Sequence, residues 1–303
     1  MSNLFILQNC LGDTILTTGV INLYKDEPMT LIMKGGVAPL FDDCPNVERL
    51  FILEKTPWRQ DDIKIWNNLR KTSLNRIIDF KPSAFTFILK ANEKRFWTRR
   101  EQSTIHRLLQ LSTWFGDQGP LPPKIVISKA RLDRMKPTRP TLAIAPIPGW
   151  PDKQWPIENF ITLLTKFCKT YPDAQVAVFA APHEKDRVLP LLKALPKSQC
   201  IDTLGGHLLD TAALIKWSRV FIGNDSGLMH MSAAVGTPTI ALFGPTDERI
   251  FGPWSGEIPS PHRVLRSCPL KDRKHSDMAT LSVETVWEVL QDRWEDPDLR
   301  MSA

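Results

Sequence analysis

The segment FIGNDSGLMHMSAAVGTPTIALFGPT, residues 221–246, begins with an apolar run, continues with a few polar residues and a helix-like stretch, and ends with a second apolar run. The first run ends at Asn224, and the second is followed by Gly244, Pro245 and Thr246. An apolar run, a helix and a second apolar run are typical of a βαβ unit, whose two strands lie parallel in one sheet. The segment therefore predicts a parallel α/β sheet with two strand-end loops on the same edge.

Polar residues stand where the first of these strands gives way to the helix: Asp225, Ser226 and His230, together with Gly227. The first N–H groups of a helix lack intrahelical partners and carry partial positive charge, so they attract phosphate groups. Gly227 would let a ligand approach the backbone closely, and His230 lies about one helical turn further on. The alternative is a helix capped by Asp225 or Ser226, with no ligand. Spacing alone leaves both interpretations open.

The same alternation of strand-like and helix-like segments runs through the chain of 303 residues and ends in a helix that Ser282 would cap. Residues 129–140 are charged and contain two prolines, which indicates a linker. We expect an α/β fold of two Rossmann-like domains, residues 1–136 and 137–303, facing across a cleft at the carboxyl ends of their strands. The last helix is expected to pack back toward the N-terminal domain.

Composition argues against several classes of protein. Hydrophobic residues make up 42% of the chain and charged residues 24%, and no stretch approaches the roughly 20 apolar residues that span a bilayer. The N-terminus lacks the basic start and the cleavage site of a secretory signal. The five cysteines are scattered without CxxC spacing, as in reduced intracellular proteins. We therefore expect a cytoplasmic protein.

Positive charge is concentrated in the first half of the chain. Residues 1–138 hold 21 Lys and Arg against 14 Asp and Glu, a net charge of +7, whereas residues 139–303 hold 18 against 19. Much of the excess lies in KANEKRFWTRREQSTIHR, residues 90–107. Such asymmetry favours an anionic partner, although a solvated basic face would look the same. Nucleic acid is not expected, because no helix-turn-helix, RNP-like or finger pattern accompanies the charge.

Taken as an ordered whole, residues 225–246 resemble the C-terminal signature of glycosyltransferase family 9, the lipopolysaccharide heptosyltransferases. That signature reads Asp-(Ser/Thr)-Gly-x-x-His, then Ala-Ala-x-Gly-x-Pro, then Phe-Gly-Pro-Thr, which correspond here to residues 225–230, 233–238 and 243–246. Three more segments are similar to the family in the same order: FILQNCLGDTILTTGVI (5–21), PDKQWPIENF (151–160) and APHEKDR (181–187). The resemblance implies a fold of the GT-B type.

The resemblance also implies an activity, the inverting transfer of a heptose from ADP-L-glycero-β-D-manno-heptose to Kdo or heptose in the anionic lipopolysaccharide inner core. Asp13 is then the expected general base. The expected donor-binding residues are Lys153, Glu184, Asp225, Ser226, Gly227, His230 and Thr246. The expected acceptor-binding residues are Lys94, Arg95, Arg99 and Arg100. No metal or other cofactor is expected, because cationic side chains and a helix terminus can take the charge of the leaving diphosphate.

Several alternatives stay open at this point. A transferase or epimerase of the same fold could use another nucleotide sugar, and a non-catalytic relative could only bind one. Asp13, expected in a loop after the first strand, would also make a good helix cap. The basic segment 90–107 could bind the core anions, touch the inner face of the inner membrane as part of a peripheral protein, or face solvent.

Overall fold

The computed structural model describes residues 1–54, 60–98, 104–116, 119–256, 260–269 and 276–298. The chain divides into two units, Met1–Val126 and Ile127–Ala303. Among these described residues each unit contains one sheet, of five strands in the first and six in the second. All described strand pairs are parallel. The predicted α/β class with two Rossmann-like units is therefore confirmed.

The sheet of the first unit has the strand order β3-β2-β1-β4-β5. Its strands are β1 (Ser2–Ile6), β2 (Met29–Met33), β3 (Val47–Ile52), β4 (Leu74–Asp79) and β5 (Ala91–Phe96). Its helices are α1 (Leu11–Asn22), α2 (Gln60–Leu69), α3 (Ala84–Ile88) and α4 (Arg107–Phe115). The central strands β1 and β2 are buried along their whole length, as their continuous apolar runs predict. Gly116, with a φ of 95°, ends α4 in the left-handed conformation that glycine adopts most easily.

The sheet of the second unit has the order β11-β10-β9-β6-β7-β8. Its strands are β6 (Thr141–Ala145), β7 (Gln175–Val178), β8 (Cys200–Asp202), β9 (Val220–Asn224), β10 (Thr239–Phe243) and β11 (Arg263–Arg266). Its helices are α5 (Lys129–Met135), α6 (Ile157–Thr170), α7 (Lys185–Ala194), α8 (Leu208–Trp217), α9 (Gly227–Ala234), α10 (Glu248–Phe251) and α11 (Val283–Glu295). Ser282 caps α11 as predicted, by accepting a hydrogen bond from Thr285 N at 3.1 Å. Within this unit α11 packs on α6 and contributes Trp287, Leu290 and Trp294 to the core.

The segment 129–140, expected as a linker, begins with helix α5, which packs against α8. Arg131 and Arg134 both form ion pairs with Asp210 of α8, the second at 2.6 Å. Trp217 Nε1 donates to the carbonyl of Leu132 at 2.8 Å. These partners lie far along the chain, which explains why local apolar periodicity did not reveal the helix.

The stability of the second unit is expected to depend on pH through His262. Burial lowers the pKa of this imidazole to about 4, against about 6.5 for an exposed histidine. Above pH 6.5 the ring is neutral whether the chain is folded or unfolded. Between pH 6.5 and 4 only the unfolded chain takes up the proton, so the free energy of unfolding falls by up to about 1.4 kcal/mol per pH unit.

Urea unfolding of wild type and His262→Gln between pH 7.5 and 4.5 measures this dependence. We expect the wild-type free energy of unfolding to fall more steeply with acidification than that of the variant. His183→Gln is the matched control, because the His183 side chain is 82% exposed and its replacement should leave the slope unchanged. Equal slopes for wild type and His262→Gln would contradict the prediction.

Candidate functional site

Both sheets have a topological switch point next to their first strand. In the first unit β1 lies between β2 and β4, and in the second unit β6 lies between β7 and β9. At such a point successive connections leave in opposite directions and open a crevice at the carboxyl ends of the strands, where α/β proteins bind ligands. Asp13 follows β1, whereas Lys153 and Asp225 follow β6 and β9. The predicted site residues therefore lie at the carboxyl ends of the strands, next to the switch point of each sheet, where α/β proteins bind ligands.

Asp225 joins two neighbouring loops of the second unit. Its Oδ2 atom accepts a hydrogen bond from Lys153 Nζ at 2.6 Å and another from Thr246 Oγ1 at 2.6 Å. The Asp225 side chain is 5% exposed and that of Lys153 17%. A charge-assisted hydrogen bond between such buried side chains holds the Lys153 ammonium group more firmly than an exposed ion pair would. We refer to Lys153, Asp225 and Thr246 as the Asp225 cluster.

Asn224, which sequence reasoning missed, ties the loops after β6 and β9 together. Its Oδ1 atom accepts a hydrogen bond from Trp155 N at 2.9 Å, and its Nδ2 atom donates to Pro146 O at 2.8 Å. Trp155 is fully buried, and its indole N–H donates to Leu281 O at 2.8 Å. Trp155 therefore packs in the core and anchors the segment that carries Lys153. The sequence feature that could have identified Asn224 is its position as a polar residue at the end of an otherwise apolar strand.

The first turn of α9 lies beside this cluster without a side-chain cap. Ser226 occupies the N-cap position but makes no capping hydrogen bond, and the carboxylate of Asp225 accepts from the other two cluster residues instead. Ser226 Oγ is buried and has no hydrogen-bond partner among the residues that the structure describes. The capping interpretation is therefore contradicted. Gly227 opens the helix, and His230 is buried in it. The first N–H groups of a helix lack intrahelical partners, and such a helix start suits an anion.

Arg266, also missed from sequence, positions the loop that carries Thr246. It donates from Nη1 to Thr246 O at 2.9 Å and from Nη2 to Gly244 O at 2.7 Å. Its guanidinium is also paired with Glu248 Oε2 at 2.5 Å. The loop is tight, because a Cβ on Gly244 would lie 2.6 Å from Met278 Sδ. Arg266 ends β11, a four-residue strand with arginine at both ends, which the apolar pattern did not predict.

Glu184 stands at the same edge of the sheet, in the turn that follows β7. Its carboxylate accepts a hydrogen bond from Ala181 N at 2.8 Å, and the side chain is 14% exposed. The described hydrogen bonds of Glu184 do not join it to the Asp225 cluster. Glu184 lies at the carboxyl end of β7, the strand next to β6 in the sheet.

In the first unit Asp13 lies in helix α1, not in the loop expected from sequence. The helix already begins at Leu11, and its first turn is closed by a hydrogen bond from Thr14 N to Cys10 O at 2.9 Å. The N-cap is Cys10, so the capping interpretation of Asp13 is also contradicted. A carboxylate in a first helical turn is electrostatically favourable, which explains why the helix can start before Asp13.

Asp13 lines a cavity of the first unit. The other lining residues are Gln8, Thr17, Trp97, Arg107 and Leu111. Arg107 is buried, and its Nη1 atom donates to Gln110 Oε1 at 3.2 Å. The cavity thus combines a carboxylate, a hydroxyl, an amide and a guanidinium, a set that suits a hydroxylated anionic group. Arg107 ends the basic segment 90–107 but was not among the expected acceptor residues.

Lys94 and Arg95, which were expected to bind an acceptor, do not line this cavity. Lys94 Nζ donates to Phe87 O at 2.9 Å. Arg95 pairs with Glu93 at 2.6 Å and stacks over Phe115, with 4.6 Å from its guanidinium carbon to the ring centroid. Both belong to β5, an edge strand, where charged side chains also prevent unwanted strand pairing. Arg99 and Arg100 lie outside the described residues.

The described parts of the chain contain neither a membrane-spanning helix nor a cluster of metal-ligating side chains. Among those residues, no helix is long and apolar enough to cross a bilayer. No group of three or more His, Cys, Asp and Glu side chains gathers closely enough, in the same residues, to hold a metal ion.

Two units, each with a parallel sheet and polar side chains at its switch point, are the arrangement found in proteins of the GT-B class. The sequence model of glycosyltransferase family 9 (heptosyltransferase) matches residues 86–275, and the chain belongs to that family. It is 23% identical to lipooligosaccharide heptosyltransferase 2 of Campylobacter jejuni, over 93% of this chain and 95% of the relative. The family assignment made from the sequence motifs is confirmed, and the protein is a glycosyltransferase.

Solved structures have the same fold. The glycosyl transferase family 9 protein of Veillonella parvula superposes with a TM-score of 0.81 at 18% identity, covering 96% of both chains. The ADP-heptose lps heptosyltransferase II of Escherichia coli superposes with a TM-score of 0.78 at 19% identity, covering 97% of this chain and 98% of the other. At these identities the likeness shows the GT-B type fold alone.

Proposed function

We propose that this protein is an inverting heptosyltransferase, which moves a heptose from ADP-L-glycero-D-manno-heptose to Kdo or heptose in the lipopolysaccharide inner core. The observation that carries the proposal is the Asp225 cluster beside the uncapped first turn of α9. An ammonium, a hydroxyl and helix N–H groups at one switch point suit the diphosphate of a nucleotide sugar. The names of the relatives, which include an ADP-heptose enzyme, support the choice of donor.

On the donor side, Lys153 and the N-terminus of α9 would stabilise the negative charge that develops on the departing ADP. Asp225 would act through its neighbours, because a carboxylate repels phosphate but holds Lys153 and Thr246 in place. Ser226 and Gly227 would contribute a hydroxyl and backbone N–H groups to the same anion. Glu184 and His230 complete the proposed donor set, with Glu184 on the nucleoside side.

On the acceptor side, Asp13 would act as the general base. The acceptor hydroxyl oxygen attacks the anomeric carbon, the bond from that carbon to the diphosphate oxygen breaks, and the configuration inverts. The hydroxyl proton passes to the Asp13 carboxylate, a transfer that requires the two groups within hydrogen-bond reach. Arg107, in the same cavity as Asp13, would bind a carboxylate or phosphate of the inner core.

A panel of donors tests the proposed function. The purified protein is given ADP-heptose, ADP-glucose, UDP-glucose and UDP-N-acetylglucosamine, each with a deep-truncated core acceptor, and the products are identified by mass spectrometry. We expect a heptose to be added only from ADP-heptose. Turnover with another donor, epimerisation of a sugar nucleotide without transfer, or binding without turnover would each contradict the proposal and favour one of the alternatives.

Transfer is expected to need no metal ion. Lys153 and the first turn of α9 already supply positive charge at the proposed diphosphate site, so removing metals should change kcat by no more than about twofold. The measurement is the initial rate after dialysis against excess EDTA, compared with the rate after Mg²⁺ or Mn²⁺ is restored. A large loss that either ion reverses would contradict the prediction.

A further inference from the structure

A tryptophan in the loop after β6 is exposed to solvent. Trp150 is 70% exposed, whereas Trp155, five residues further along the same loop, is fully buried. A single exposed apolar residue is ordinary on a protein surface. Trp150, however, lies at the carboxyl ends of the strands, where α/β proteins bind ligands. Because Trp155 already anchors the loop in the core, the exposed indole of Trp150 is free to contact a ligand there.

The backbone of the loop holds Trp150 close to Lys153. Trp150 has extended backbone angles, with φ at −123° and ψ at 127°, which is the conformation that the following proline, Pro151, favours. Lys153 N donates a hydrogen bond to Trp150 O at 3.1 Å and closes the single 3-10 turn Pro151–Lys153. Trp150 and Lys153 are therefore fixed at the two ends of one short turn.

The Lys153 ammonium group is close to both the Trp150 ring and the Asp225 carboxylate. Lys153 Nζ lies 5.3 Å from the centroid of the Trp150 ring, within the range of a cation–π contact, and 2.6 Å from Asp225 Oδ2. An ammonium group has three N–H donors, so donors remain for a phosphate after the bond to Asp225. A phosphate bound to Lys153 would bring the group that it carries within reach of the indole.

The chain leaves room beside Trp150. The preceding residue is Gly149, where an added Cβ would meet no atom within 4 Å apart from those of its chain neighbours. Gly149, Trp150 and Pro151 are all exposed, whereas the loop residues before Gly149 are buried. The exposed part of the loop can therefore take a bulky group against the indole ring without displacing other side chains.

We propose that Trp150 recognises the sugar of the donor, by stacking its indole ring against the apolar face of the sugar ring. This inference rests on the proposed function, in which Lys153 stabilises the diphosphate of the leaving ADP. The transferred sugar is bonded directly to that diphosphate, whereas the adenine is separated from it by the ribose. The ring 5.3 Å from the ammonium group is thus better placed for the sugar. Trp150 would be a specificity-determining residue for the transferred group.

Isothermal titration without an acceptor tests this role, because binding is then measured without transfer. The Kd values for ADP and for ADP-heptose are compared in the wild type, Trp150→Ala and Trp150→Phe. Phe87→Ala is the matched control, because Phe87 is also an exposed aromatic residue, at 56%, but belongs to the first unit. Circular dichroism checks that every variant is folded.

We expect Trp150→Ala to weaken the binding of ADP-heptose by about tenfold. The Kd for ADP should change by less than about twofold, because Asp225 still holds Lys153 in place. Trp150→Phe keeps an aromatic ring and should lose less than Trp150→Ala, and Phe87→Ala should change neither Kd. Equal weakening of ADP and ADP-heptose by Trp150→Ala would mean that the ring contacts the nucleotide, and unchanged binding of both would mean that it contacts neither. Each result overturns the proposal.

Failure of the proposed function is distinguishable from failure of this inference. If the donor panel selects another sugar nucleotide, transfer from ADP-heptose is wrong, and the titrations are made with that donor and its own nucleoside diphosphate. A loss confined to the sugar nucleotide in Trp150→Ala would still support the role of Trp150, and an equal loss for both ligands would overturn it. A wild-type protein that binds no sugar nucleotide overturns both.

Discussion

Replacing Asp13 by Asn should lower kcat for heptose transfer by about a thousandfold, within the range typical of lost general-base catalysis. The amide keeps the size of the side chain in the cavity that Gln8, Thr17 and Arg107 also line, but it cannot accept the proton of the acceptor hydroxyl. Binding of ADP should change little, because the proposed diphosphate contacts belong to the second unit. Steady-state kinetics give kcat, and isothermal titration gives the Kd for ADP.

The control for Asp13 separates catalysis from helix stability. Asp62 is also an acidic residue in a first helical turn of the same unit, that of α2. If Asp13 served only the dipole of α1, both Asp→Asn changes would lower stability by about 0.3–1 kcal/mol and leave kcat unchanged. We expect Asp62→Asn to behave in that way and Asp13→Asn to lose activity at unchanged fold. Nearly full activity of the Asp13→Asn variant would show that Asp13 has a structural role and is not the general base.

The buried strands were predictable because their apolar runs are continuous. The sequence runs NLFILQ, TLAIAP and RVFIGN lie at β1, β6 and β9. Strand β5 was not predictable in the same way, because the edge sequence ANEKRF carries charges on both faces. Helix α5 was missed because its partners, Asp210 and Trp217, lie far along the chain. Apolar periodicity therefore reveals the elements that bury a continuous apolar face. It does not reveal elements such as α5, which are held in place by polar contacts with residues far along the chain.

The residues of the candidate site were predictable from the sequence, but the hydrogen bonds between them were not. Motif order identified Lys153, Asp225 and Thr246 singly, but nothing in their spacing showed that one carboxylate oxygen joins the other two. Arg266 lies 20 residues beyond the Thr246 carbonyl that it holds, in a strand too short to stand out. Spacing can place residues at one edge of a sheet, but it cannot assign hydrogen-bond partners across loops. The roles of these residues in transfer stay predictions.

Lys153→Ala should lower kcat/KM by about a hundredfold to a thousandfold, the usual effect of removing one preorganised group that stabilises developing charge. Part of the loss should appear in kcat, because the negative charge on ADP grows as the bond to the anomeric carbon breaks. Lys166→Ala is the matched control. Lys166 lies in the same unit, is 41% exposed and pairs with Glu284 at 3.4 Å, so its loss should change kcat/KM by less than about twofold.

Asp225→Asn tests whether the Asp225 carboxylate works through Lys153. An amide at this position cannot match the ammonium charge, so the lysine should lose its fixed place 2.6 Å from the Oδ2 atom. We expect Asp225→Asn to lower kcat/KM alone but to add little when Lys153 is already Ala, a non-additivity that a double-mutant cycle measures. If the two losses add fully, Asp225 acts independently of Lys153, and the ion pair at the end of β9 is only structural. A strong coupling would instead mean that the buried carboxylate holds the cation where the leaving diphosphate needs it.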